Sequence, residues 1–171
     1  MIKVRCERPE DHDAVHTINL AAFDGGPEAD LVDTLRCRCS DHLSLVAEEG
    51  EVVVGHILFT SVVIDGPTAR VEGMGLAPMA VDPDHQRDGI GSAMVRRGLE
   101  ILRNRSCPFV VVLGHPEYYP RFGFERASTH GLQSQWHGVP DEAFMVVVFD
   151  DSRLPAGGGV ARYRDEFDAA M

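Results

Sequence analysis

The chain has 171 residues, of which 44% are hydrophobic and 25% are charged, a composition typical of a globular domain with one substantial core. Its formal net charge of -11 argues against nucleic acid as the main partner, because phosphate contacts require clustered Lys and Arg side chains. No apolar run approaches membrane-spanning length, and charged residues interrupt the N-terminal segment where a signal peptide would lie. We therefore expect a single domain over residues 1–171, in a cytoplasmic protein that does not bind membranes.

The first 70 residues predict three strands and two helices. Alternating apolar and polar residues at the N-terminus indicate a strand, and Pro9 followed by acidic residues is typical of a helix start. Gly25-Gly26-Pro27 separates the two helices, and Glu49-Gly50-Glu51 indicates a hairpin turn between two strands. In chain order, the expected elements are a strand at 2–7, helices at 9–23 and 28–39, and strands at 43–48 and 52–63.

A strand, a glycine-rich turn and a helix follow one another between residues 71 and 103. Val71–Val81 is an apolar run of strand length, and Asp82–His85 is a polar turn. Gln86–Gly91 then leads into a segment whose apolar residues recur at helical spacing. The short apolar run at 108–113 predicts another strand, buried on both faces. Together these elements form a strand–helix–strand unit whose two strands are expected to be parallel.

The C-terminal third of the chain predicts fewer regular elements. We expect a short helix at 116–122, a strand that begins at Phe124, a loop over 130–140 and a last clear strand at 143–149. The glycine-rich segment 155–159 is typical of a flexible connection. The C-terminal tail, residues 151–171, has no firm assignment. The fold class is therefore mixed α/β.

Neither the cysteines nor the histidines predict a metal site. The four cysteines show no paired framework, and the spacing of Cys37 and Cys39 fits neither a zinc site nor a redox motif, so we expect reduced thiols. His12 and His16 have the spacing of a zinc-binding helix, but Asp13 stands where the metalloprotease motif has Glu, and no third ligand is evident. We expect a solvated helix face and no bound metal.

The glycine turn at Gln86–Gly91 is a candidate anion site, because the first backbone N–H groups of a helix have no partner within it. A P-loop is excluded, since Gly91 is followed by Ser92 and Ala93 rather than by Lys and a hydroxyl residue. The dinucleotide fingerprint requires a third glycine where Met94 stands. What remains is the pattern Gln-x-x-Gly-x-Gly after a strand and a proline-containing turn.

Residues Gln86–Gly91 match every defined position of the Q/R-x-x-G-x-G/A motif of GNAT (GCN5-related) N-acetyltransferases, and the chain resembles this family, in particular its YhbS-like branch. Tyr118–Phe124 resembles the family's Tyr-x-x-x-Gly-Phe signature, and the order of elements over residues 2–150 agrees as well. The resemblance implies the GNAT acyl-CoA N-acyltransferase fold: a mostly antiparallel central sheet with one splayed pair of parallel strands and flanking helices. It also implies acetyl-CoA as cosubstrate.

In the resembled family, the strand before the motif splays from its parallel neighbour, and the pantetheine arm of CoA lies in the cleft. Pro78 lacks an amide hydrogen and fits such a bulge. Carried over, Met79, Ala80 and Val81 bind the pantetheine, and a backbone N–H in the Met79–Ala80 region holds the thioester oxygen. The residues implied to bind the pyrophosphate are Gln86, Arg87, Asp88, Gly89, Ile90, Gly91 and Ser92.

The resemblance also implies that Tyr119 is the general acid, because it is the tyrosine of Tyr-x-x-x-Gly-Phe. A tyrosine, with a pKa of roughly 10, can return a proton to a thiolate whose thiol has a pKa of roughly 8.5. The alternative is an ordinary packed aromatic residue. Glu28, Glu72 and His115 are candidates for the general base, although many family members use a chain of water molecules instead.

Two further features each allow two interpretations. Arg96 and Arg97 either contact the phosphates or form a solvated helix face, in which Arg96 pairs with Glu100. Trp136 either lines a substrate pocket or anchors the loop that contains it. The acceptor pocket is expected in the segments 23–35 and 115–136.

The expected reaction is direct transfer of acetyl from acetyl-CoA to a primary amine of a small molecule or a protein, through a tetrahedral intermediate and without a covalent enzyme intermediate. The acidic balance of the chain favours a cationic amine. A non-catalytic acyl-CoA-binding or sensing module on the same fold is the alternative. A nucleotide-binding domain unrelated to CoA is a third hypothesis. The sequence is compatible with a monomer or a homodimer.

Overall fold

The computed structural model describes residues 1–170, which contain three α-helices and nine β-strands. The helices are α1 (His12–Ala22), α2 (Glu28–Arg38) and α3 (Ile90–Asn104). The strands are β1 (Ile2–Cys6), β2 (Leu43–Glu49), β3 (Val52–Asp65), β4 (Arg70–Val81), β5 (Phe109–Leu113), β6 (Glu125–Arg126), β7 (Leu132–Ser134), β8 (Phe144–Val148) and β9 (Gly159–Arg162). Of the described residues, 1–60, 77–100 and 165–170 form one compact unit, and 61–76 and 101–164 form the second.

The first unit contains an antiparallel sheet in which β2 pairs with both β1 and the first part of β3. At the end of β4, the backbone N–H of Asp82 donates to Val54 O of β3 at 2.9 Å. Consecutive residues of a strand point to opposite faces. Gly55 lies against Met94 of α3, whereas His56 contacts Asn19 of α1. Helices α3 and α1 therefore cover opposite faces of β3 in this unit.

The second unit contains the parallel strand pair. Residues of β4 and β5 pair in parallel from Met74–Val110 to Leu76–Val112, and β8 pairs antiparallel with both β5 and β6. Phe109, Val110 and Val111 are each 0% exposed, as expected for a strand buried on both faces. The sequence-based predictions of a parallel strand–helix–strand unit and of a mostly antiparallel mixed sheet are confirmed.

The C-terminal third differs most from the expectation. The helix predicted at 116–122 is a 3₁₀ turn at Tyr119–Phe122, and the strand from Phe124 is reduced to β6. The predicted loop contains β7, and the unassigned tail contains β9, which pairs with β7 in parallel and with β3 antiparallel. These short strands depend on partners distant in sequence, so their local residue pattern carries little signal.

The remaining tail contains a 3₁₀ turn at Asp165–Ala169 that lies against α2 in the first unit, with Phe167 buried. The four cysteines are all free. No helix within residues 1–170 is long and apolar enough to span a membrane. A single domain over the whole chain stays a prediction.

Candidate active site

The glycine turn follows β4 after the polar segment Asp82–His85, and hydrogen bonds hold both of its ends. Gln86 Nε2 donates to Val81 O at 3.2 Å, which ties the turn to the last residue of the strand. Arg87 and Gly89 have φ angles of 70° and 80°, a left-handed conformation that glycine adopts at low cost. The N–H of Ala93 donates to Gly89 O at 3.0 Å, so the helical ladder starts directly after this turn.

This arrangement exposes the turn while anchoring the helix behind it. Arg87, Asp88 and Gly89 are exposed, whereas Ile90 and Met94 are 2% and 0% exposed. At the start of an α-helix the first N–H groups point out of the helix, and the positive end of the helix dipole lies there. The predicted turn therefore has the geometry of an anion-binding site.

The face of α3 that carries the arginines is exposed. Arg96 and Arg97 both lie on it. An ion pair joins Arg97 Nη1 to Glu100 Oε2 at 2.8 Å, an i,i+3 contact. The pairing of Arg96 with Glu100 stays a prediction. Salt bridges of this exposed kind contribute little to stability.

The end of β4 alternates in burial. Pro78 and Ala80 are buried, whereas Met79 and Val81 are half-buried. The parallel ladder with β5 extends to Leu76, and β4 continues from there through a cis Ala77–Pro78 peptide bond to Val81. A proline has no N–H to donate to a neighbouring strand, so its position fits the point at which this ladder ends.

Tyr119 lies in a cluster of aromatic rings in the second unit. Its ring centroid is 5.1 Å from that of Tyr118 and 5.6 Å from that of Phe124, both in edge-to-face geometry. The ring also lies directly against Gly114, at a position where a β-carbon would collide with it. Burial, and then the neighbouring Tyr118, raise the pKa of the Tyr119 hydroxyl above its ordinary value. Tyr119 is therefore held in its neutral, proton-carrying form.

The three candidates for the general base lie in different surroundings. His115 is exposed at the end of β5, and its backbone carbonyl accepts from the N–H groups of Tyr118 and Tyr119 at 3.1 and 3.4 Å, so it belongs to the turn that positions Tyr119. Glu72 is exposed on β4 of the same unit. Glu28 begins α2 in the first unit, and its Oε2 is buried without a hydrogen-bond partner among residues 1–170.

Tyr163 is not among the residues that the sequence predicts. Its ring lies over Gly75 of β4, where an added β-carbon would be 2.9 Å from Tyr163 Cε1. Its centroid is 4.9 Å from that of Trp136, and its backbone N–H donates to Gln135 Oε1 at 2.6 Å. Burial, and then Tyr119, raise the pKa of the Tyr163 hydroxyl. Because Tyr163 is in the tail and in no motif, only the tertiary structure reveals it.

The first unit contains a buried polar group that we call the His56 cluster: His56, Asn19, Ser44, Glu7 and Arg36. His56 Nδ1 accepts from Asn19 Nδ2 at 3.2 Å, and His56 Nε2 is 2.9 Å from Ser44 Oγ. The Ser44 hydroxyl donates to Glu7 at 2.5 Å, which assigns the imidazole proton to Nε2. Arg36 pairs with Glu7 at 2.5 Å. Burial lowers the pKa of His56 to about 4, so the ring is neutral.

His16 lies near two carboxylates rather than facing His12 as a ligand. His16, Asp30 and Asp33 have potential metal-ligand atoms within 4.8 Å of one another, but His16 Nδ1 already contacts Asp33 at 2.8 Å, and Arg36 pairs with the same carboxylate. This is the arrangement of a surface ion-pair network. The absence of a metal stays a prediction.

Comparisons with known proteins identify the family of the chain. The sequence profile of the family described as "Acetyltransferase (GNAT) domain" matches residues 3–127. The uncharacterized N-acetyltransferase YhbS of Escherichia coli K12 is 34% identical over 166 residues, which cover 96% of this chain and 98% of YhbS. The chain belongs to the GNAT acetyltransferase family. The predicted family and enzyme class, an acetyl-CoA-dependent N-acetyltransferase, are thereby confirmed.

Two solved structures of similar sequence share the fold. The crystal structure of E. coli YhbS in complex with CoA has a TM-score of 0.87 and 33% identity, covering 98% of this chain and 92% of that one. The structure of a GNAT acetyltransferase from Brucella melitensis in complex with acetyl-CoA has a TM-score of 0.80 and 34% identity, covering 98% and 99%. The GNAT fold that the sequence predicts is confirmed.

Proposed function

We propose that this GNAT protein transfers the acetyl group of acetyl-CoA to a primary amine, binding the pyrophosphate at Gln86–Ser92 and the pantetheine arm along Met79–Val81. The observation that carries the proposal is the exposed glycine turn at the start of α3, with left-handed backbone at Arg87 and Gly89. Unpaired N–H groups and the helix dipole bind phosphate without a large positive side-chain field. Relatives bound to CoA and to acetyl-CoA support it.

The proposed reaction is direct attack on the thioester. The nitrogen lone pair of a neutral amine forms the new C–N bond, and the carbonyl oxygen becomes an oxyanion that a backbone N–H near Met79–Ala80 stabilises. The intermediate collapses by breaking the C–S bond, and the CoA thiolate takes a proton from the Tyr119 hydroxyl. The attacking nitrogen, which is positively charged after the attack, releases its extra proton to solvent, and solvent returns a proton to Tyr119. The neutral tyrosine is the state that donates, and burial, which raises the pKa of Tyr119, keeps the proton on the hydroxyl but also makes it a weaker acid.

The amine must lose a proton before or during the attack. Among the three base candidates, we favour Glu28, because its buried Oε2 has no hydrogen-bond partner among the described residues and is thus available to accept one from an ammonium group. His115 is more consistent with a structural role, since its carbonyl supports the Tyr119 turn. Glu72, which is exposed on β4, has no comparable observation in its favour.

Calorimetry with acetyl-CoA, CoA, ATP and NAD tests the cosubstrate. We expect acetyl-CoA and CoA to bind. ATP and NAD should bind at least about tenfold more weakly, because they lack the pantetheine arm that is proposed to lie along Met79–Val81. Preference for ATP or NAD would contradict the proposal.

The role of the glycine turn in phosphate binding is tested by comparing the acetyl-CoA affinity of Gly89→Asp with that of Gly89→Asn. Both side chains have open space around the position and tolerate left-handed backbone, but only Asp repels a phosphate, by about 1–3 kcal/mol.

Thiol release measured across a panel of primary amines tests the transfer itself. Turnover with at least one amine is expected. Tight acetyl-CoA binding without thiol release on any amine would instead support a non-catalytic acyl-CoA-binding module. Unchanged CoA affinity in Gly89→Asp would contradict the assignment of the pyrophosphate to this turn.

A further inference from the structure

All three tyrosines of the chain lie in the second unit, and each of the two buried ones packs against a glycine. The Tyr119 ring covers Gly114, the residue after β5, and the Tyr163 ring covers Gly75 of β4. At both glycines a β-carbon would collide with the tyrosine ring. The missing side chain of each glycine therefore makes room for a tyrosine.

Trp136 extends this aromatic surface beyond Tyr163. The centroids of the two rings are 4.9 Å apart, and the ring planes are at an angle of 42°. A hydrogen bond supports this contact: the backbone N–H of Tyr163 donates to Oε1 of Gln135, the residue before Trp136, at 2.6 Å. Tyr163 is 7% exposed, whereas Trp136 is half-buried. The pair thus presents one aromatic surface that is partly open to a ligand.

The surroundings of the two buried hydroxyl groups are apolar and aromatic. Burial is the main cause that raises the pKa of both Tyr119 and Tyr163, and a neighbouring tyrosine is the second cause in each case. The ring of Tyr119 also contacts Phe122 and Phe124, with centroids 6.4 and 5.6 Å away. An amine in such surroundings loses hydration, which lowers its pKa and favours the neutral, nucleophilic form.

We propose that Trp136 and Tyr163 form the wall of the acceptor site, and that this wall selects a primary amine on an apolar or aromatic carbon skeleton over a polyamine or an amino sugar. The inference rests on the proposed function, in which Tyr119 protonates the leaving thiolate. Aromatic rings stack on apolar skeletons, whereas several ammonium or hydroxyl groups require polar partners when buried.

The acidic net charge of the chain does not by itself determine which amine binds. The formal charge of -11 belongs to the whole chain and affects association over long distances. Selectivity depends instead on the groups within contact of the amine. The aromatic wall also reduces the need for a strong general base, because desolvation itself favours the unprotonated amine.

The test is steady-state thiol release by the full-length enzyme with 2-phenylethylamine, n-butylamine, spermidine and glucosamine, at saturating acetyl-CoA. We expect kcat/KM to be highest for 2-phenylethylamine, then for n-butylamine. In Trp136→Ala, kcat/KM for 2-phenylethylamine should fall about tenfold, the effect of losing one aromatic contact, with the KM for acetyl-CoA unchanged. Gly75→Ala, whose added methyl group would collide with both Val62 and the Tyr163 ring, should lower the same parameter. His137→Ala, at the exposed neighbouring position, is the control.

A preference for spermidine or glucosamine that Trp136→Ala leaves unchanged would overturn the inference and leave the proposed function intact. Absence of thiol release with every amine, in an enzyme that binds acetyl-CoA, would contradict the proposed function and the inference with it. If Trp136→Ala does not fold, as judged by circular dichroism, the order of the four amines with the wild-type enzyme decides the question alone.

Discussion

The His56 cluster and the aromatic cluster around Tyr119 each bury a titratable side chain in its neutral form, by opposite shifts. Burial lowers the pKa of His56 to about 4 and raises the pKa of Tyr119. The neighbours differ in kind. His56 is hydrogen-bonded to Asn19 and Ser44, whereas Tyr119 is surrounded by rings. Burial alone does not identify a catalytic group.

What distinguishes the two clusters is how the buried polar atoms are used. Both nitrogens of His56 have partners, and the Ser44 hydroxyl donates a hydrogen bond to Glu7, so the cluster is a hydrogen-bonded network that joins β2, β3, α1, α2 and the residue after β1. Such a network specifies packing and is costly to interrupt. Tyr119 is the first residue of the Tyr-x-x-x-Gly-Phe signature and retains a proton to donate, which suits chemistry rather than packing.

Tyr119→Phe should have the largest effect. The ring contacts with Tyr118 and Phe124 remain, but the proton donor is lost, so we expect kcat to fall about 10²–10⁴-fold with little change in stability. Thiol release under saturating acetyl-CoA and amine, together with thermal unfolding, measures both quantities.

Tyr118→Phe is the matched control for this prediction. Tyr118 is adjacent, half-buried and stacked on Arg121, whose guanidinium carbon is 4.6 Å from its ring centroid. Because the phenylalanine ring keeps these contacts, turnover should stay near the wild-type value. Undiminished turnover in Tyr119→Phe, or an equal loss in Tyr118→Phe, would remove the general-acid assignment.

The His56 cluster should make stability depend on pH. The pKa of His56 is lowered from 6.5 to about 4 in the folded state. Above pH 6.5 both states are neutral at this residue and its contribution is fully present. As the pH falls from 6.5 towards 4, only the unfolded chain gains the proton, so the free energy of unfolding should decrease by about 3 kcal/mol. Urea denaturation at pH 7.5, 5.5 and 4 measures this decrease.

His56→Gln separates this contribution from those of other groups. Glu7, whose pKa is lowered chiefly by Arg36 and Ser44 against its burial, also loses stability on acidification, and it remains in the variant. The variant should be less stable at pH 7.5 but should lose less stability between pH 6.5 and 4. An identical decrease in both proteins would show that His56 is not the titrating group.

The sequence predicts most of the elements and one part of the site. The glycine turn at Gln86–Gly91 is contiguous, and its φ angles and helix start follow from local residues, so a short motif is sufficient to find it. The strand pair β4–β5 follows from the strand–helix–strand order. Tyr119 is implied by the family signature, and its neutral state becomes evident only from the rings packed around it.

The missing elements depend on contacts between distant residues. Tyr163 covers Gly75, and β9 pairs with β3 at Val63–Arg162, about a hundred residues away in the chain. Neither has a local pattern, since a glycine-rich segment precedes a strand of only four residues. The His56 cluster joins Glu7, the residue after β1, to residues of α1, α2, β2 and β3 in the same way. The local sequence around His56, a histidine within an apolar strand, does not indicate which residues contact it.

Ser44→Ala should affect stability and leave catalysis unchanged. Removing the hydroxyl leaves Glu7 and His56 each without one buried partner, which costs about 1–3 kcal/mol, while turnover per folded molecule should be constant. Ser40→Ala, at an exposed position, is the control and should change the free energy of unfolding by less than about 0.5 kcal/mol. A loss of turnover greater than the loss of folded protein would assign the cluster a role in the reaction.

The smallest effect is expected for Arg97→Gln, which removes the same kind of polar contact in water. The side chains of Arg97 and Glu100 are 48% and 60% exposed, so solvent replaces the lost ion pair and the free energy of unfolding should change by no more than about 0.5 kcal/mol. Acetyl-CoA affinity, measured by calorimetry, should also be unchanged if this helix face is only solvated. A weaker affinity would instead place Arg97 at the phosphates. If Arg97→Gln lost as much stability as Ser44→Ala, the difference in burial between the two contacts would not explain the cost of interrupting the His56 cluster.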